Sequence, residues 1–318
     1  MEFDILCVGE TVVDFISTDL TDSLLDSGMF SKYLGGNAAY VSVYSAKLSK
    51  KSMLLTKLGK GHFGEFLARK LQKYGVSTEY ISYSDNIETS VAFLSQTSGT
   101  PDYQRIHLAD SELKISDIDS LLIENSKVIH TSLSSLVKEP ARSAVRKAFR
   151  LGKGMNKILT VQPNYQPQLW SDREEAKEIL AQLCDGVKIV FPSLSSARHL
   201  FDYNMEQEEL KELCIKTFHD WGAELVVFIA KGHYDEVSTG PGKRTIKIPN
   251  LNTTSIPGYA GANSAFISGF IVAYLEKMPL KKCLLFAREV GMTVLDSIGP
   301  YPGTIFRKDI LEKIDKIT

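Results

Sequence analysis

Two glycine-rich segments of this sequence have the composition to bind an anion. The first, residues 34–40, has the sequence LGGNAAY, and the second, residues 257–266, has the sequence PGYAGANSAF. Each precedes a run with helical periodicity. A turn of small residues that opens a helix leaves backbone N–H groups unpaired where the helix dipole attracts negative charge. Each segment therefore predicts a phosphate-sized anion at a helix N-terminus, and a helix cap without a ligand explains either segment equally well.

Spacing and composition narrow the class of protein. Neither segment has the spacing of a Walker A loop or of the full dinucleotide fingerprint, which argues against a P-loop NTPase and an NAD enzyme. The 318 residues carry 37 Lys and Arg against 38 Asp and Glu, a formal net charge of −1. This balance predicts no nucleic-acid partner. The four cysteines form no CxxC pair, so we assign no residue as a metal ligand.

Two features of the sequence bear on where the protein resides. The N-terminus enters a strand pattern without a basic region, and no stretch approaches the ~18 continuous apolar residues of a membrane span. We therefore expect a reduced, cytoplasmic protein that does not associate with a membrane.

Short apolar runs alternate with helical periodicity along most of the chain, which is typical of repeated βαβ units around a parallel sheet. Runs such as residues 225–230, LVVFIA, lack the alternation of a half-exposed strand and indicate a strand covered on both faces. Residues 53–58 are predicted as one strand, and the C-terminal third is predicted to be mostly helical. Residues 12–33 and 89–110 break the pattern and are interpreted as a small β appendage, the second as an antiparallel hairpin.

Several short motifs, in their order along the chain, resemble those of the PfkB/ribokinase-type carbohydrate kinases, with the fructokinase-like branch the most similar. The resemblance covers nearly the whole chain. The motifs that carry it are Gly9-Glu10 with Asp14, Gly35-Gly36, Gly59 with Phe63-Gly64, Tyr103-Gln104-Arg105 with Ala109-Asp110, Pro163-Asn164 with Leu169-Trp170, Lys231-Gly232, and Gly261-Ala262-Asn263 with Phe266.

This resemblance implies an α/β, ribokinase-like three-layer fold with a mostly parallel central sheet, helices on both faces and a small β-sheet lid. It implies one domain over residues 1–318, with lid segments at about 12–36 and 88–110. It also implies a homodimer formed through the lid.

The resemblance further implies a transferase that uses ATP and Mg²⁺ to phosphorylate a sugar hydroxyl, with a hexose such as fructose as the first expected substrate. The residues it assigns to sugar binding are Asp14, Gly35, Gly36, Arg105 and Asn164. It assigns Lys231 and Gly232 to the nucleotide, Gly261 and Ala262 to an anion hole, and Asn263 to the position of the catalytic base.

Several charged site positions of the family hold other residues here. Asn263 stands where the family has the aspartate that accepts the proton of the sugar hydroxyl, and an amide cannot accept it. General-base catalysis typically contributes ~10²–10⁴-fold. Ser193 and Ser196 stand at the N-x-x-E positions, which removes a carboxylate from the metal's outer shell, and Tyr40 replaces an asparagine.

Two hypotheses follow from these departures. The first is a sugar kinase with weak activity, because positioning and charge stabilisation carry most of phosphoryl transfer. The second is a kinase-like protein that binds a sugar, nucleoside, nucleotide or partner protein without transfer. Each of three site residues also has a simpler interpretation: Asp14 as a turn cap or lysine partner, Arg105 as an exposed lid cation, and Asn263 as the N-cap of a helix that begins near Ser264.

Overall fold

The structure is a computed structural model. It describes residues 2–96, 103–106, 108–230, 234–243, 245–249, 261–295, 300–301, 303, 305 and 307–316. Lys231 and Gly232, two of the predicted nucleotide-binding residues, lie outside these ranges.

Strands and helices alternate through the first two thirds of the chain. The strands are β1 (Phe3–Val8), β2 (Val12–Leu20), β3 (Phe30–Gly35), β4 (Ser52–Leu55), β5 (Lys57–Gly59), β6 (Ser82–Ser84), β7 (Val91–Gln96), β8 (Tyr103–Ile106), β9 (Ser126–Ser132), β10 (Ile158–Gln162), β11 (Ile189–Val190), β12 (Leu225–Phe228), β13 (Tyr234–Ser238) and β14 (Ile246–Pro249). The α-helices are α1 (Asn37–Lys47), α2 (His62–Lys73), α3 (Ser120–Glu124), α4 (Ala141–Gly154), α5 (Arg173–Cys184), α6 (Leu194–Leu200), α7 (Gln207–Asp220), α8 (Ala262–Leu275), α9 (Leu280–Leu295) and α10 (Arg307–Asp315).

The main sheet has, within the described residues, eight strands in the order β14-β13-β12-β11-β10-β9-β1-β4. The pairs from β12 to β4 are parallel, and β13 and β14 join antiparallel at one edge. Apolar side chains cover both faces, because one buried cluster includes residues of α1, α8 and α9 and the other includes residues of α4, α5 and α7. The predicted mostly parallel sheet with helices on both faces is therefore confirmed.

A separate small sheet has the strand order β3-β2-β7-β8. It contains the two segments that break the βαβ pattern, and β7 and β8 pair antiparallel, as predicted. Parts of the second segment, residues 97–102 and 107, lie outside the described residues. Between the described strands, β2 and β7 are parallel neighbours, which joins the two segments into one sheet.

One sequence prediction about strands is wrong, and two strands are not predicted. The strand predicted over residues 53–58 ends at Leu55, and Lys57–Gly59 instead pairs with Ser82–Ser84 in a two-stranded sheet. The C-terminal third also contains β13 and β14. The sequence of β13, YDEVS, includes two carboxylates, and its Glu236 is buried beside the Lys211 ammonium of α7 at 3.1 Å. This ion pair allows a polar segment to enter the sheet.

No helix in the described part of the chain is long and apolar enough to cross a bilayer.

A buried histidine makes the stability of the sheet depend on pH. His130 lies in β9 and is fully buried, with its Nδ1 2.9 Å from the Thr160 hydroxyl. Burial lowers the pKa of His130 from 6.5 to about 3. Below about pH 6.5 the unfolded chain binds a proton that the folded protein does not, so the free energy of unfolding falls as the pH falls towards about 3.

We expect the wild type to lose on the order of 2 kcal/mol more stability than a His130→Asn variant between about pH 7.5 and about pH 5. Urea unfolding of both proteins at the two pH values measures this difference. Equal losses in the two proteins would show that His130 does not carry the effect.

Candidate active site

A cavity of about 320 Å³ lies where the carboxyl ends of β1 and β10 meet the N-termini of α1 and α8. In open α/β sheets this edge is where ligands bind. Residues of β2 and β8 from the small sheet also line the cavity. Seven of the residues singled out in the sequence line it together: Asp14, Gly36, Arg105, Asn164, Gly261, Ala262 and Asn263.

Asp14 lies at the small-sheet side of the cavity and is 4% exposed. The Tyr40 hydroxyl donates a hydrogen bond to its Oδ2 at 2.8 Å. Burial raises the pKa of Asp14 to about 7, although the Tyr40 hydrogen bond and the Arg105 charge act in the opposite direction. The carboxylate neither caps a turn nor pairs with a lysine among the described residues, so the simpler interpretation of Asp14 is wrong.

Gly35 leaves the space that the Asp14 side chain occupies. A Cβ at Gly35 would lie 2.1 Å from the Asp14 carboxyl carbon, so any larger residue must displace the carboxylate. Gly35 therefore acts by leaving room for the Asp14 side chain and does not itself line the cavity, whereas Gly36 does.

Gly35→Ala is expected to weaken binding of a hydroxyl-bearing acceptor about tenfold, because a hydrogen bond to a charged group contributes about 1.5–3 kcal/mol. Gly154→Ala is the matched control, since a Cβ at that exposed helix position meets nothing within 4 Å. Calorimetric titration of both variants with the acceptor tests this, and equal affinities would contradict the role of Gly35.

Arg105 is a buried member of an ion pair. Its side chain is 2% exposed and bonds to the Asp110 carboxylate, which is 3% exposed and also accepts a hydrogen bond from the Ser90 hydroxyl. The interpretation of Arg105 as an exposed lid cation is therefore wrong. The pair fixes the guanidinium at the small-sheet side of the cavity, where its charge acts on Asp14.

The anion at the N-terminus of α1 is a side chain of the protein itself. The Glu10 carboxylate accepts a hydrogen bond from the Asn37 N–H at 2.8 Å and from the Ser132 and Ser135 hydroxyls. Glu10 is 1% exposed. The glycine turn before α1 therefore does bind an anion, but it is not the phosphate-sized ligand that the sequence predicts there.

Among the described residues, no side chain bonds to the N-terminus of α8 in this way. Gly261 is the N-cap residue, with φ +98°, and no described side chain caps the helix. Ala262 begins the helix with a negative φ, so its N–H has helical geometry. The first N–H groups of a helix have no partner within the helix, which suits a negatively charged ligand.

Asn263 lies in the first turn of α8 and lines the cavity. Because the helix begins at Ala262 and Gly261 is its N-cap, the interpretation of Asn263 as the N-cap is wrong. Asn263 therefore belongs to the cavity lining and not to the helix cap.

Four buried polar atoms of the cavity lining have no hydrogen-bond partner among the described residues: Gln162 Oε1, Asn164 Oδ1, Gln166 Oε1 and Ser264 Oγ. Buried polar atoms are nearly always hydrogen-bonded in folded proteins. Asn164 is held in place because its Nδ2 donates to the Ser134 hydroxyl at 2.7 Å. The lining is thus suited to a ligand with several hydroxyl groups.

Residues 2–305 match the pfkB family of carbohydrate kinases. The chain belongs to this family. The ATP-dependent 6-phosphofructokinase of Thermoanaerobacterium thermosaccharolyticum is 30% identical over 304 residues, which cover 96% of this chain and 90% of that protein. The 5-dehydro-2-deoxygluconokinase of Clostridium botulinum strain Eklund 17B is 27% identical and covers 90% of this chain and 85% of its own.

The solved structure of Halothermothrix orenii fructokinase superposes on this pfkB-family protein with a TM-score of 0.77 at 28% identity. The match covers 92% of this chain and 98% of the fructokinase. The predicted family and the ribokinase-like fold are therefore confirmed.

This pfkB-family protein offers no carboxylate for Mg²⁺ at the N-terminus of α8 among its described residues. Ser193 caps α6 by accepting a hydrogen bond from the Ser196 N–H, and the Ser196 hydroxyl donates to the Pro163 carbonyl. The described lining contains two carboxylates. Both oxygens of Glu10 already accept hydrogen bonds at the N-terminus of α1, and Asp14 lies at the small-sheet side of the cavity. No group of three or more metal-ligating side chains is present in the described residues. The side chains at this position therefore do not fit a directly bound ion.

Sequence reasoning missed the roles of Glu10 and Tyr40 in this site. Glu10 belongs to a recognised motif, but its partners Ser132 and Ser135 lie more than a hundred residues away. The sequence shows only that Tyr40 stands where the family has an asparagine. Its contact with Asp14 depends on the fold.

Proposed function

We propose that this protein transfers the γ-phosphoryl group of ATP to a hydroxyl of a sugar, with fructose as the first candidate. One observation carries the proposal: a single cavity joins the Asp14 carboxylate to the N-terminus of α8, which no described side chain caps. A polyol that hydrogen-bonds to Asp14 would place another hydroxyl near the α8 N-terminus. The name of the 6-phosphofructokinase relative supports ATP as the donor.

Each lining residue has a role in this proposal. Asp14 and the amide of Asn164 bind hydroxyls of the sugar, and Arg105 binds the sugar from the small-sheet side of the cavity. The N–H groups of Gly261 and Ala262 stabilise negative charge on the phosphoryl group, and such charge stabilisation is the main source of catalysis in phosphoryl transfer. The Asn263 amide orients the attacking sugar hydroxyl, and a water molecule accepts the proton of that hydroxyl.

The resemblance alone supports the remaining parts of the proposal. Lys231 and Gly232 are proposed to contact the nucleotide, and Mg²⁺ is proposed to accompany ATP, although no step described here depends on it. One domain over the whole chain and a homodimer through the small sheet are proposed on the same ground. A cytoplasmic location is proposed from the sequence, as above.

A second candidate function is binding of a sugar, nucleoside, nucleotide or partner protein without phosphoryl transfer. The amide of Asn263 favours it, because no described residue near the α8 N-terminus replaces the missing carboxylate base.

Acceptor-dependent ADP release distinguishes the two candidates. The purified protein is incubated with ATP, Mg²⁺ and, one at a time, pentoses, hexoses and nucleosides. For a sugar kinase, we expect at least one monosaccharide to raise ADP release above the rate measured with ATP and no acceptor. Thermal stabilisation by ATP or an acceptor without ADP release would favour binding without transfer, because a ligand of the native state raises its stability.

A further inference from the structure

Tyr40 stands between the two ends of the cavity. Its hydroxyl is bonded to Asp14, while its ring carbons Cδ1 and Cε1 would lie 3.2 and 3.3 Å from a Cβ built on Gly261. One side chain thus extends from the proposed sugar-binding carboxylate to the N-cap of α8. The side chain is 4% exposed and lines the cavity.

The Tyr40 ring is held in place by its neighbours. It stacks on the Tyr44 ring at a centroid distance of 6.3 Å and lies against the Tyr301 ring at 5.5 Å. The Tyr301 hydroxyl donates to the Leu34 carbonyl at 2.8 Å, and the Tyr44 hydroxyl donates to the Pro300 carbonyl. Because both neighbouring rings are anchored, Tyr40 cannot swing aside to enlarge the cavity without breaking these contacts.

The space left beside Tyr40 is small. Ligand sites typically enclose about 300–1,000 Å³, and this cavity of about 320 Å³ must receive both the acceptor and the reacting phosphoryl group. Tyr40 also occupies one hydrogen-bonding position on Asp14 Oδ2, which leaves fewer positions on this carboxylate for the sugar hydroxyls.

The charge of the lining limits the acceptor in a second way. Among the described lining residues, the basic side chains are Arg105 and His199. Arg105 is already paired with Asp110. The described lining therefore provides no unneutralised guanidinium or ammonium for a phosphate carried by the acceptor.

We propose that Tyr40 is a specificity-determining residue that confines the acceptor to a compact monosaccharide and excludes nucleosides, while the described lining, whose one guanidinium is already paired, disfavours phosphorylated hexoses. This inference rests on the proposed function, since it specifies the acceptor of that same site. The ring of Tyr40 limits the size of the acceptor. The hydrogen bond from the Tyr40 hydroxyl to Asp14 is not needed for this limit.

The test compares Tyr40→Leu, which removes most of the ring volume, with Tyr40→Phe, which removes the hydroxyl alone. The measured quantity is the ratio of kcat/KM for adenosine or fructose 6-phosphate to that for fructose. Tyr40→Leu is expected to raise the adenosine ratio about tenfold or more, as removal of a steric restriction in a specificity pocket typically does. Tyr40→Phe is expected to leave both ratios within about threefold of the wild type.

Three results would overturn the inference. They are a wild type that prefers adenosine or fructose 6-phosphate to fructose, an adenosine ratio that is unchanged in Tyr40→Leu, or a rise in the adenosine ratio of Tyr40→Phe equal to that of Tyr40→Leu. Tyr40→Asn provides a second reduction in volume if the leucine variant does not fold. Calorimetry of the same variants gives the corresponding ratios of dissociation constants for adenosine, fructose 6-phosphate and fructose. If the wild type releases no ADP with any acceptor, the proposed function fails, and the dissociation constants still decide the role of Tyr40.

Discussion

Asn263→Asp is expected to raise kcat for the preferred sugar about 100-fold or more, because a positioned general base typically contributes ~10²–10⁴-fold. The substitution restores a carboxylate in the first turn of α8, on the cavity. A negative charge is favourable at a helix N-terminus by about 0.3–1 kcal/mol, so the variant should fold. Initial rates of ADP release at saturating ATP and sugar measure the effect.

The matched control is Asn204→Asp, the same chemical change at an exposed turn outside the cavity, for which no rise is expected. Asn263→Ala tests the orienting role of the amide and should lower kcat. If Asn263→Asp and Asn204→Asp have the same kcat, the assignment of Asn263 to the base position is wrong.

Asp14→Asn is expected to lower kcat/KM for the sugar about 10- to 100-fold, because a hydrogen bond to a charged group contributes about 1.5–3 kcal/mol. The amide has the same shape and still has an oxygen for the Tyr40 hydroxyl, so the substitution removes charge with little change in packing. Steady-state kinetics with varied sugar measure the loss. The shift in melting temperature caused by ATP should persist, and its loss would indicate a general disruption of the site.

The raised pKa of Asp14 gives this substitution two further signatures. Since its pKa is about 7, kcat/KM for the sugar should rise about tenfold from about pH 6 to about pH 8 in the wild type. The variant should lack this rise. A pH profile that is identical in the two proteins would contradict the role of Asp14.

The second signature concerns stability. The folded protein holds the Asp14 proton up to about pH 7, whereas the unfolded chain loses it near 3.8, so ionisation of Asp14 lowers the free energy of unfolding as the pH rises between these values. At about pH 8, Asp14→Asn should therefore be more stable than the wild type, by on the order of a few kcal/mol. A functional carboxylate is thus kept in the cavity at a cost in stability.

The order of strands and helices could be predicted because the buried parallel strands are short apolar runs between helical periods. The strand β13 could not, because Asp235 and Glu236 make it polar. Each carboxylate is accommodated by a partner that the local sequence does not indicate: Asp235 accepts from the Ala230 N–H, and Glu236 pairs with Lys211. Tertiary contacts override the local pattern there.

The candidate site could be predicted in its parts but not in its arrangement. The sequence predicts that the two glycine-rich segments lie at helix N-termini that attract an anion, and Gly36 and Gly261 do directly precede α1 and α8. The local sequence does not show that Glu10 occupies the first and that no described side chain caps the second. Tyr40 illustrates the same limit, since its contact with Asp14 joins α1 to β2 across 26 residues.

The most direct test of the proposed kinase activity is mass spectrometry of the sugar after incubation with ATP, Mg²⁺ and the purified protein. The account predicts that fructose or another unphosphorylated monosaccharide gains one phosphoryl group in the presence of the wild type, and gains it faster with Asn263→Asp. If both proteins bind ATP and sugar and neither yields a phosphorylated sugar, the protein is not a sugar kinase.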